Sequence, residues 1–328
     1  MRMTGLRPLI QLLADGDVHS GEEIGRQLGI SRTAVWKQLK LLEPLGLQMT
    51  AVKGQGYCLS SELSLLDRGV ITSLISGESE PLLGFLQVLD ETQSTNLDAL
   101  GAKDGEATCG VFLAEHQTAG KGRRGRQWVS PYAASIYMSV SWKFDAGAAA
   151  LEGLSLAVGL GVVKALEKFG LQGLGLKWPN DIYYRDKKLA GVLIELAGDL
   201  MGDCKVVAGV GLNVNLPPEV SRSIDRPWID LKCICDEQGV DLPARSRVVA
   251  ALIDELLPLL GTFSDRGFEY YRDAWLEYDI CKKRIVSIES HNSVVSGLAQ
   301  GVNASGELLV AFDEGVKAFT GGEVSLRW

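Results

Sequence analysis

The chain is expected to be an α+β protein of several domains, and three observations predict this. The first 60 residues hold three short helical patterns and then two strands. A middle stretch alternates strand and helix patterns, and everything after Arg284 reads as short strands separated by Gly, Asn and Asp. With 328 residues there is room for two or three domains.

Leu6, Leu9, Ile10 and Leu13 recur at helical spacing, and Asp15-Gly16 ends that run. Ser20 can cap a second helix, Gly21 to Leu28, with Glu22 and Glu23 favourable in its first turn. After the tight turn Gly29-Ile30, Ser31 caps a third helix, Arg32 to Leu42, which Pro44 and Gly46 terminate. Ala34, Val35, Leu39 and Leu42 are available for packing. Arg32, Thr33, Trp36, Lys37, Gln38 and Lys40 are left to meet phosphates or base edges. Strands Leu47 to Val52 and Tyr57 to Ser60 flank the turn Lys53-Gly54-Gln55-Gly56 as a wing, with Lys53 at its tip. A protein-interaction module would look similar. The cationic third helix and wing tip favour DNA.

Ser60-Ser61 opens a linker, and residues 63–77 read as a weak amphipathic helix. Leu151 to Phe169 is a long apolar helix closed by Gly170. Leu174 to Trp178, Asp181 to Tyr184, Leu189 to Leu196 and Val206 to Val214 read as strands, and Arg245 to Leu260 and Phe268 to Tyr278 as helices. The tail strands are Arg284 to Glu289, Val294 to Val302, Glu307 to Phe312, Val316 to Phe319 and Glu323 to Arg327, a small barrel-like domain. The domains expected are therefore 1–62, a linker 63–80, 81–278 and 279–328.

Composition narrows the function. No run of about 18 apolar residues exists, so no membrane span is expected. The first residues lack the apolar core of a signal peptide, and cytoplasmic residence is the expectation. The six cysteines form no C-x-x-C, and the histidines at 19, 116 and 291 are far apart, so no protein-held metal is expected. The net charge of −8 argues against a general nucleic-acid binder. Residues 1–60 nevertheless hold seven Lys/Arg against five Asp/Glu, a balance of +2 that leaves −10 for the rest. Nucleic-acid contact should be confined to the first domain.

The densest chemistry lies in Gly120-Lys121-Gly122-Arg123-Arg124-Gly125-Arg126, where three glycines alternate with four cations. Its G-x-G-x-x-G spacing alone is weak, because a dinucleotide turn needs a helix after it. Here Ser135 to Trp142, a strand pattern, follows. Long cations between glycines suit a mobile loop that orders around an anion, although a solvated basic loop has the same composition. The neighbours decide. Upstream stand Glu91-Thr92-Gln93-Ser94-Thr95-Asn96 and Ala114-Glu115-His116-Gln117-Thr118-Ala119. Downstream stand Lys177-Trp178-Pro179-Asn180-Asp181, Lys187-Lys188-Leu189-Ala190-Gly191 and Gly209-Val210-Gly211-Leu212-Asn213-Val214-Asn215.

In this order and at these separations the set resembles the biotin–protein ligases. With the helix-turn-helix pattern it is most similar to the bifunctional members that also repress biotin synthesis. The resemblance covers nearly the whole chain. One departure is Lys121, where the family more often has arginine, so a planar fork becomes a point charge.

The resemblance implies a central mixed-sheet domain similar to class II synthetases and an SH3-like barrel at the C-terminus. It implies that biotin's carboxylate attacks the α-phosphate of ATP, giving biotinyl-5′-AMP and pyrophosphate. A lysine of a biotin carboxyl carrier protein then takes the biotinyl group. Both partners of the first step are anions, so catalysis is mostly positioning plus positive charge.

By resemblance Lys188 and Arg123 are the catalytic cations. Ser94, Thr95, Asn96, Gln117, Lys121, Gly122, Arg123 and Lys188 meet biotin, and Arg123, Arg126, Trp128, Asn180 and Asn213 meet the nucleotide. Small polar groups such as Ser94 suit a ureido ring with two N–H donors and one carbonyl, although Ser94 or Thr95 could instead cap the helix Leu97 to Ala102. Trp128 could be a wall for adenine or simply core. Asn213 could touch nucleotide or be a satisfied core amide. Mg²⁺ arriving with ATP would sit near Asp181, which could equally only shape its turn. Operator DNA through residues 1–62 and a homodimer formed when adenylate is bound complete the expectations. A lipoate–protein ligase and a non-enzymatic biotin-sensing transcription factor are the alternatives.

Overall fold

A computed structural model describes residues 5–60, 62–102, 109–145, 147–198, 202, 204–289, 294–321 and 325–327. His291 and the first two residues of the expected last strand lie outside this set.

The N-terminal module contains α1 (Arg7–Leu13), α2 (Gly21–Leu28), α3 (Arg32–Leu39), β1 (Met49–Val52) and β2 (Gly56–Leu59), the strands being antiparallel. The expected caps are present. Ser20 Oγ accepts from Glu23 N at 3.1 Å and Ser31 Oγ from Ala34 N at 3.2 Å. Gly29, at φ +66°, makes the left-handed turn between α2 and α3. Helix α3 stops three residues before the expected Leu42. Leu41 and Leu42 bond three residues back, and a 3₁₀ turn over Glu43–Leu45 follows, because Pro44 disfavours α geometry before it. Leu9, Ile10, Leu13, Ile24, Val35 and Leu42 form the module's core. Tyr132 and Ala133, from far along the chain, complete it. Arg7–Asp90 at 2.5 Å and Gln48–Glu219 at 2.7 Å also bind the module to the central domain.

The helix expected over 63–77 is shorter, α4 (Arg68–Leu74), capped by Asp67. Residues 62–67 stay non-helical, and the Leu66 N–H is taken by Glu115 Oε1 at 2.6 Å. Leu66 and Ile71 are fully buried in the central core and tie this otherwise largely exposed stretch to it.

The central domain runs β3 (Phe85–Thr92), α5 (Thr95–Gly101), β4 (Cys109–Gln117), β5 (Ser135–Phe144), α6 (Leu154–Glu167), β6 (Leu174–Lys177), β7 (Asp181–Tyr184), β8 (Lys187–Gly198), β9 (Cys204–Asn213), α7 (Leu231–Gln238), α8 (Arg245–Arg266) and α9 (Glu269–Glu277). Its seven-stranded sheet has the order β3-β4-β5-β9-β8-β7-β6, parallel only between β3 and β4. Helix α6 begins at Leu154 because Gly153 sits at φ +74°, where a Cβ would lie 2.5 Å from Phe268. Helix α7 was not anticipated.

The period of two along each strand sorts the sheet into two faces. Val111 and Leu113 of β4, Ile136, Met138 and Val140 of β5, and Val206, Ala208 and Val210 of β9 join the main core, which α6 and α8 cover. The alternate residues face α5, where Ala99 packs with Phe112 and Val207. Further along that second face come Ser139, Tyr137, Gly209 and Gly211, and these define the site below.

The C-terminal strands β10 (Ile285–Glu289), β11 (Val294–Val302), β12 (Leu308–Phe312), β13 (Gly315–Phe319) and β14 (Ser325–Arg327) form one antiparallel sheet of order β13-β12-β11-β10-β14. Trp178 anchors it to the central domain, being 1% exposed with its indole N–H donated to Gly306 O at 3.0 Å. All six cysteines are unpaired. Among the described residues no helix is long and apolar enough to cross a membrane.

Candidate active site

Glycine hollows the α5 face of the sheet. A Cβ at Gly209 would fall 2.2 Å from Asn96 Oδ1, one at Gly211 2.5 Å from the Trp128 ring, and one at Gly191 2.9 Å from Lys188 Nζ. Each close approach needs a residue without a side chain. The space left is a cavity of about 420 Å³, a size suited to a small ligand. Every residue expected to meet biotin or nucleotide lines it, from Ser94 on α5's first turn to Asn213 at the end of β9.

The cationic loop forms one wall. Gly122 N donates to Arg126 O at 2.7 Å, and a 3₁₀ turn spans Arg123–Gly125 with Arg124 at φ +58°. Arg123 points inward. Its guanidinium donates to Asn180 Oδ1 at 3.1 Å and to the Gly321 carbonyl of the C-terminal domain. Burial lowers its pKa, Asp181 offsets this, and Arg124 and Arg126 lower it again. An arginine crowded by like charge and stripped of water is poised to gain from an incoming anion.

Lys188 lies across Gly191 with Nζ 2.6 Å from Asp181 Oδ1, both side chains less than one-fifth exposed. Its own backbone is fixed, donating from N to Pro227 O at 3.0 Å and accepting from Ile229 N at 3.0 Å. Asp181, the first residue of β7 just after the turn, therefore holds this ammonium. Asn180 Nδ2 donates to Val192 O at 2.6 Å, and Asn213 Nδ2 donates to Ile229 O at 3.0 Å. Trp128 stands over Gly211 with Lys188 Nζ 5.4 Å from its ring, and its indole N–H is buried without a partner among the described residues.

Ser94 occupies the cap position of α5, but its hydroxyl makes no cap bond. Gln117 does that work, its Oε1 accepting from Thr95 N at 3.0 Å while Nε2 donates to Ser130 Oγ at 3.1 Å. Ser94 itself is buried, 2% exposed, and its hydroxyl has no capping duty. Asn96 is also buried, bonded to Glu195 and Ser139.

Sequence reasoning missed Lys177, Tyr183, Arg226 and Trp228, which also line the cavity. Burial lowers the Lys177 pKa and raises that of Tyr183. Lys177 stood in a quoted motif and could have been found. Arg226 and Trp228 lie on a loop that only the tertiary fold brings back. Among the described residues, seven cations line the cavity against two carboxylates, Asp181 and Asp225. Such a site favours an anionic ligand or two anions meeting.

The second expected surface is on the first module. Arg32, Thr33, Trp36, Lys37, Lys40 and Lys53 are exposed, with Lys40 Nζ 3.6 Å from the centre of the Trp36 ring. Gln38 is half-buried, and its Oε1 lies inward without a partner among the described residues.

Three family profiles match in chain order. Residues 6–58 match an HTH domain, 85–213 the biotin/lipoate A/B protein ligase family, and 284–327 the biotin protein ligase C-terminal domain. The bifunctional ligase/repressor BirA of Escherichia coli is 37% identical over 97% of this chain and 96% of its own length. The BirA of Bacillus subtilis is 28% identical over 99% of this chain and all of its own. Among solved structures, the biotin protein ligase of Aquifex aeolicus in complex with biotin and ATP superposes with a TM-score of 0.62 at 27% identity, covering 74% of this chain and 99% of that one. The fold and the site define a small-molecule-activating ligase joined to a helix-turn-helix module. The chain belongs to the biotin/lipoate protein ligase family, in its bifunctional ligase/repressor branch.

Proposed function

We propose that the protein activates biotin with ATP to biotinyl-5′-AMP, transfers the biotinyl group to a lysine of a biotin carboxyl carrier protein, and represses biotin-synthesis genes when biotin is plentiful. The cationic cavity with a polar floor carries this reading. The floor, Ser94, Thr95 and Gln117, suits an uncharged ring of N–H donors and a carbonyl. The cations suit a carboxylate and phosphates.

In the first step a biotin carboxylate oxygen attacks the α-phosphorus, and the bond to the bridging oxygen breaks to release pyrophosphate. Lys188, fixed by Asp181 across Gly191, is placed to neutralise the carboxylate and the α-phosphate oxygens. Arg123 and Arg126 are assigned to the phosphates and Trp128 to the adenine. Asn180 and Asn213 are assigned to the nucleotide, each through groups left over from its backbone bond. In the second step the deprotonated carrier lysine attacks the acyl carbon, and AMP leaves. Among the described residues no cluster of three or more His, Cys, Asp or Glu could hold a metal. Mg²⁺ entering on ATP would keep phosphate and water ligands and sit near Asp181. The work is placed in the cytoplasm, where carrier, ATP and operator meet.

The decisive assay mixes purified protein, ATP, Mg²⁺ and a carrier domain with either biotin or lipoate. Biotin should give AMP, pyrophosphate and one biotinyl mass increment, and lipoate none. A folded sample that forms no pyrophosphate with biotin refutes the reading.

Arg123→Gly should leak the adenylate. Charge-assisted hydrogen bonds worth roughly 1.5–3 kcal/mol are lost, so release should speed up about tenfold or more. Stray lysines on bystander proteins should then become labelled. A variant that retains adenylate as long as the parent does would remove Arg123 from this role.

Operator DNA is assigned to Arg32, Thr33, Trp36, Lys37, Gln38, Lys40 and Lys53. One module with a balance of +2 can neutralise few phosphates, so two are expected to act together. Sedimentation should show monomer without ligand and homodimer with biotin and ATP, and gel shifts of the operator should follow the dimer. Tight operator binding by ligand-free monomer would break this link and leave the ligase intact.

A further inference from the structure

Behind the biotin-facing hydroxyls lies a polar chain that no function yet uses. Ser139 projects from the centre of β5 onto the α5 face and is completely buried. Its Oγ lies 2.7 Å from Thr95 Oγ1 and 2.6 Å from Asn96 Oδ1. Asn96 Nδ2 in turn lies 2.6 Å from Glu195 Oε2 and 3.5 Å from Leu193 O. Ser139 stands opposite Gly209 in the sheet, and that glycine makes the room Asn96 occupies.

The chemistry fixes the direction of every bond in this chain. A carboxylate and a backbone carbonyl only accept, so the side of Asn96 facing Glu195 must be its NH₂. Asn96 Oδ1 then faces Ser139 and also only accepts. The single Ser139 proton therefore goes to Asn96. What Ser139 presents to Thr95 is a lone pair, and the Thr95 proton is drawn back into the protein. Its other partner, Gln117 Oε1 at 3.3 Å, is again an acceptor, held in that orientation by the Thr95 N–H. Thr95 is thereby left to face the cavity as an acceptor.

We infer that Ser139, with Asn96 and Glu195 behind it, is a positioning and specificity-determining relay that locks Thr95 as an acceptor and so selects ligands offering an N–H at that point. A ureido nitrogen satisfies it, and an N-alkylated nitrogen does not. Asn96 acts in this relay through Thr95. The inference rests on the biotin reading of the site and deepens it.

Biotin and its two N-methyl isomers, methylated on one or other ureido nitrogen, are titrated calorimetrically into the full-length protein, its Ser139→Ala variant and its Ser139→Thr variant. Steady-state adenylate formation is followed in parallel. The parent should bind one methyl isomer far more weakly than biotin. Ser139→Ala, with Asn96 Oδ1 unsatisfied and Thr95 free to turn, should raise both Kd and KM for biotin about tenfold, with kcat at saturating biotin and KM for ATP little changed. Ser139→Thr, which keeps the hydroxyl, should recover most of the affinity, or Asn96→Ala should reproduce the loss if the extra methyl does not fit. A folded Ser139→Ala protein with unchanged KM for biotin overturns the relay, as does one in which kcat and both KM values fall away together. A parent protein that does not adenylate biotin at all overturns instead the reading beneath it, so the two failures are distinguishable.

Discussion

Lys188→Ala should lower kcat for adenylate formation by roughly 10²–10³, the loss seen when one preorganised electrostatic donor is removed. Two terms add here. The ammonium that offsets the carboxylate and α-phosphate disappears. Asp181, held at 2.6 Å by that ammonium, becomes an unpaired carboxylate facing two more anions. The second term makes a separate comparison useful. Lys188→Ala combined with Asp181→Asn removes the stranded charge and should recover part of the rate. Lys188→Arg should rescue poorly, because a planar fork cannot lie across Gly191 as the slender ammonium does. Single-turnover pyrophosphate release measures all three. A rate for Lys188→Ala within about threefold of the parent would take this lysine out of the chemistry.

Arg245→Ala should cost roughly 3–5 kcal/mol of stability, a large part of what a protein has. Arg245 is 1% exposed, and its guanidinium donates to Glu115 Oε2 at 2.5 Å, to Ser64 O at 3.1 Å and twice to Ser135 O. Glu115, fully buried, also accepts from Leu66 N. Removing the cation leaves the fully buried Glu115 carboxylate and the carbonyl of the buried Ser135 without their partner. Replacing both partners, Arg245→Met with Glu115→Leu, should cost much less than the single change, because no charge is stranded. Urea midpoints for the parent, Arg245→Met, Glu115→Leu and their double variant, with Arg245→Ala beside them, test it. A single variant within about 1 kcal/mol of the parent would mean that the pair has little net worth.

What could be read beforehand was local. Ser20, Ser31 and Gly29 announced their helix ends by chemistry that acts over four residues, and the structure has those ends. The loop Gly120 to Arg126 stood out locally by its cations between glycines, but its role, like that of Lys188, came from the resemblance carried by the neighbouring motifs, and the fold brings both to one cavity. The buried contacts were not legible. Arg245 and Glu115 are 130 residues apart, and nothing local distinguishes a helix-start arginine that faces solvent from one that is 1% exposed. The Ser139 relay joins α5, β5 and β8, and nothing local separates Ser139 from Ser135 and Ser141 of the same strand. Helix α7 was missed although Asp230 caps it and Gly239 closes it at φ +67°. Its length does not explain the miss, since α1 and α2 are no longer than it, and its two end signals were there to be read.

Tyr132 has a consequence for portability. It follows closely on the cationic loop, yet its ring, 2% exposed, is shared with the helices of the first module. A DNA reader cut out at residue 62 would therefore carry a vacant socket where that ring belongs. A foreign reader grafted onto this ligase would have to accept a tyrosine it never evolved beside. The two activities can be separated on paper at a peptide bond, but in the folded chain the catalytic half holds a piece of the reader's interior, so the halves cannot be exchanged piecemeal between relatives without remaking that contact.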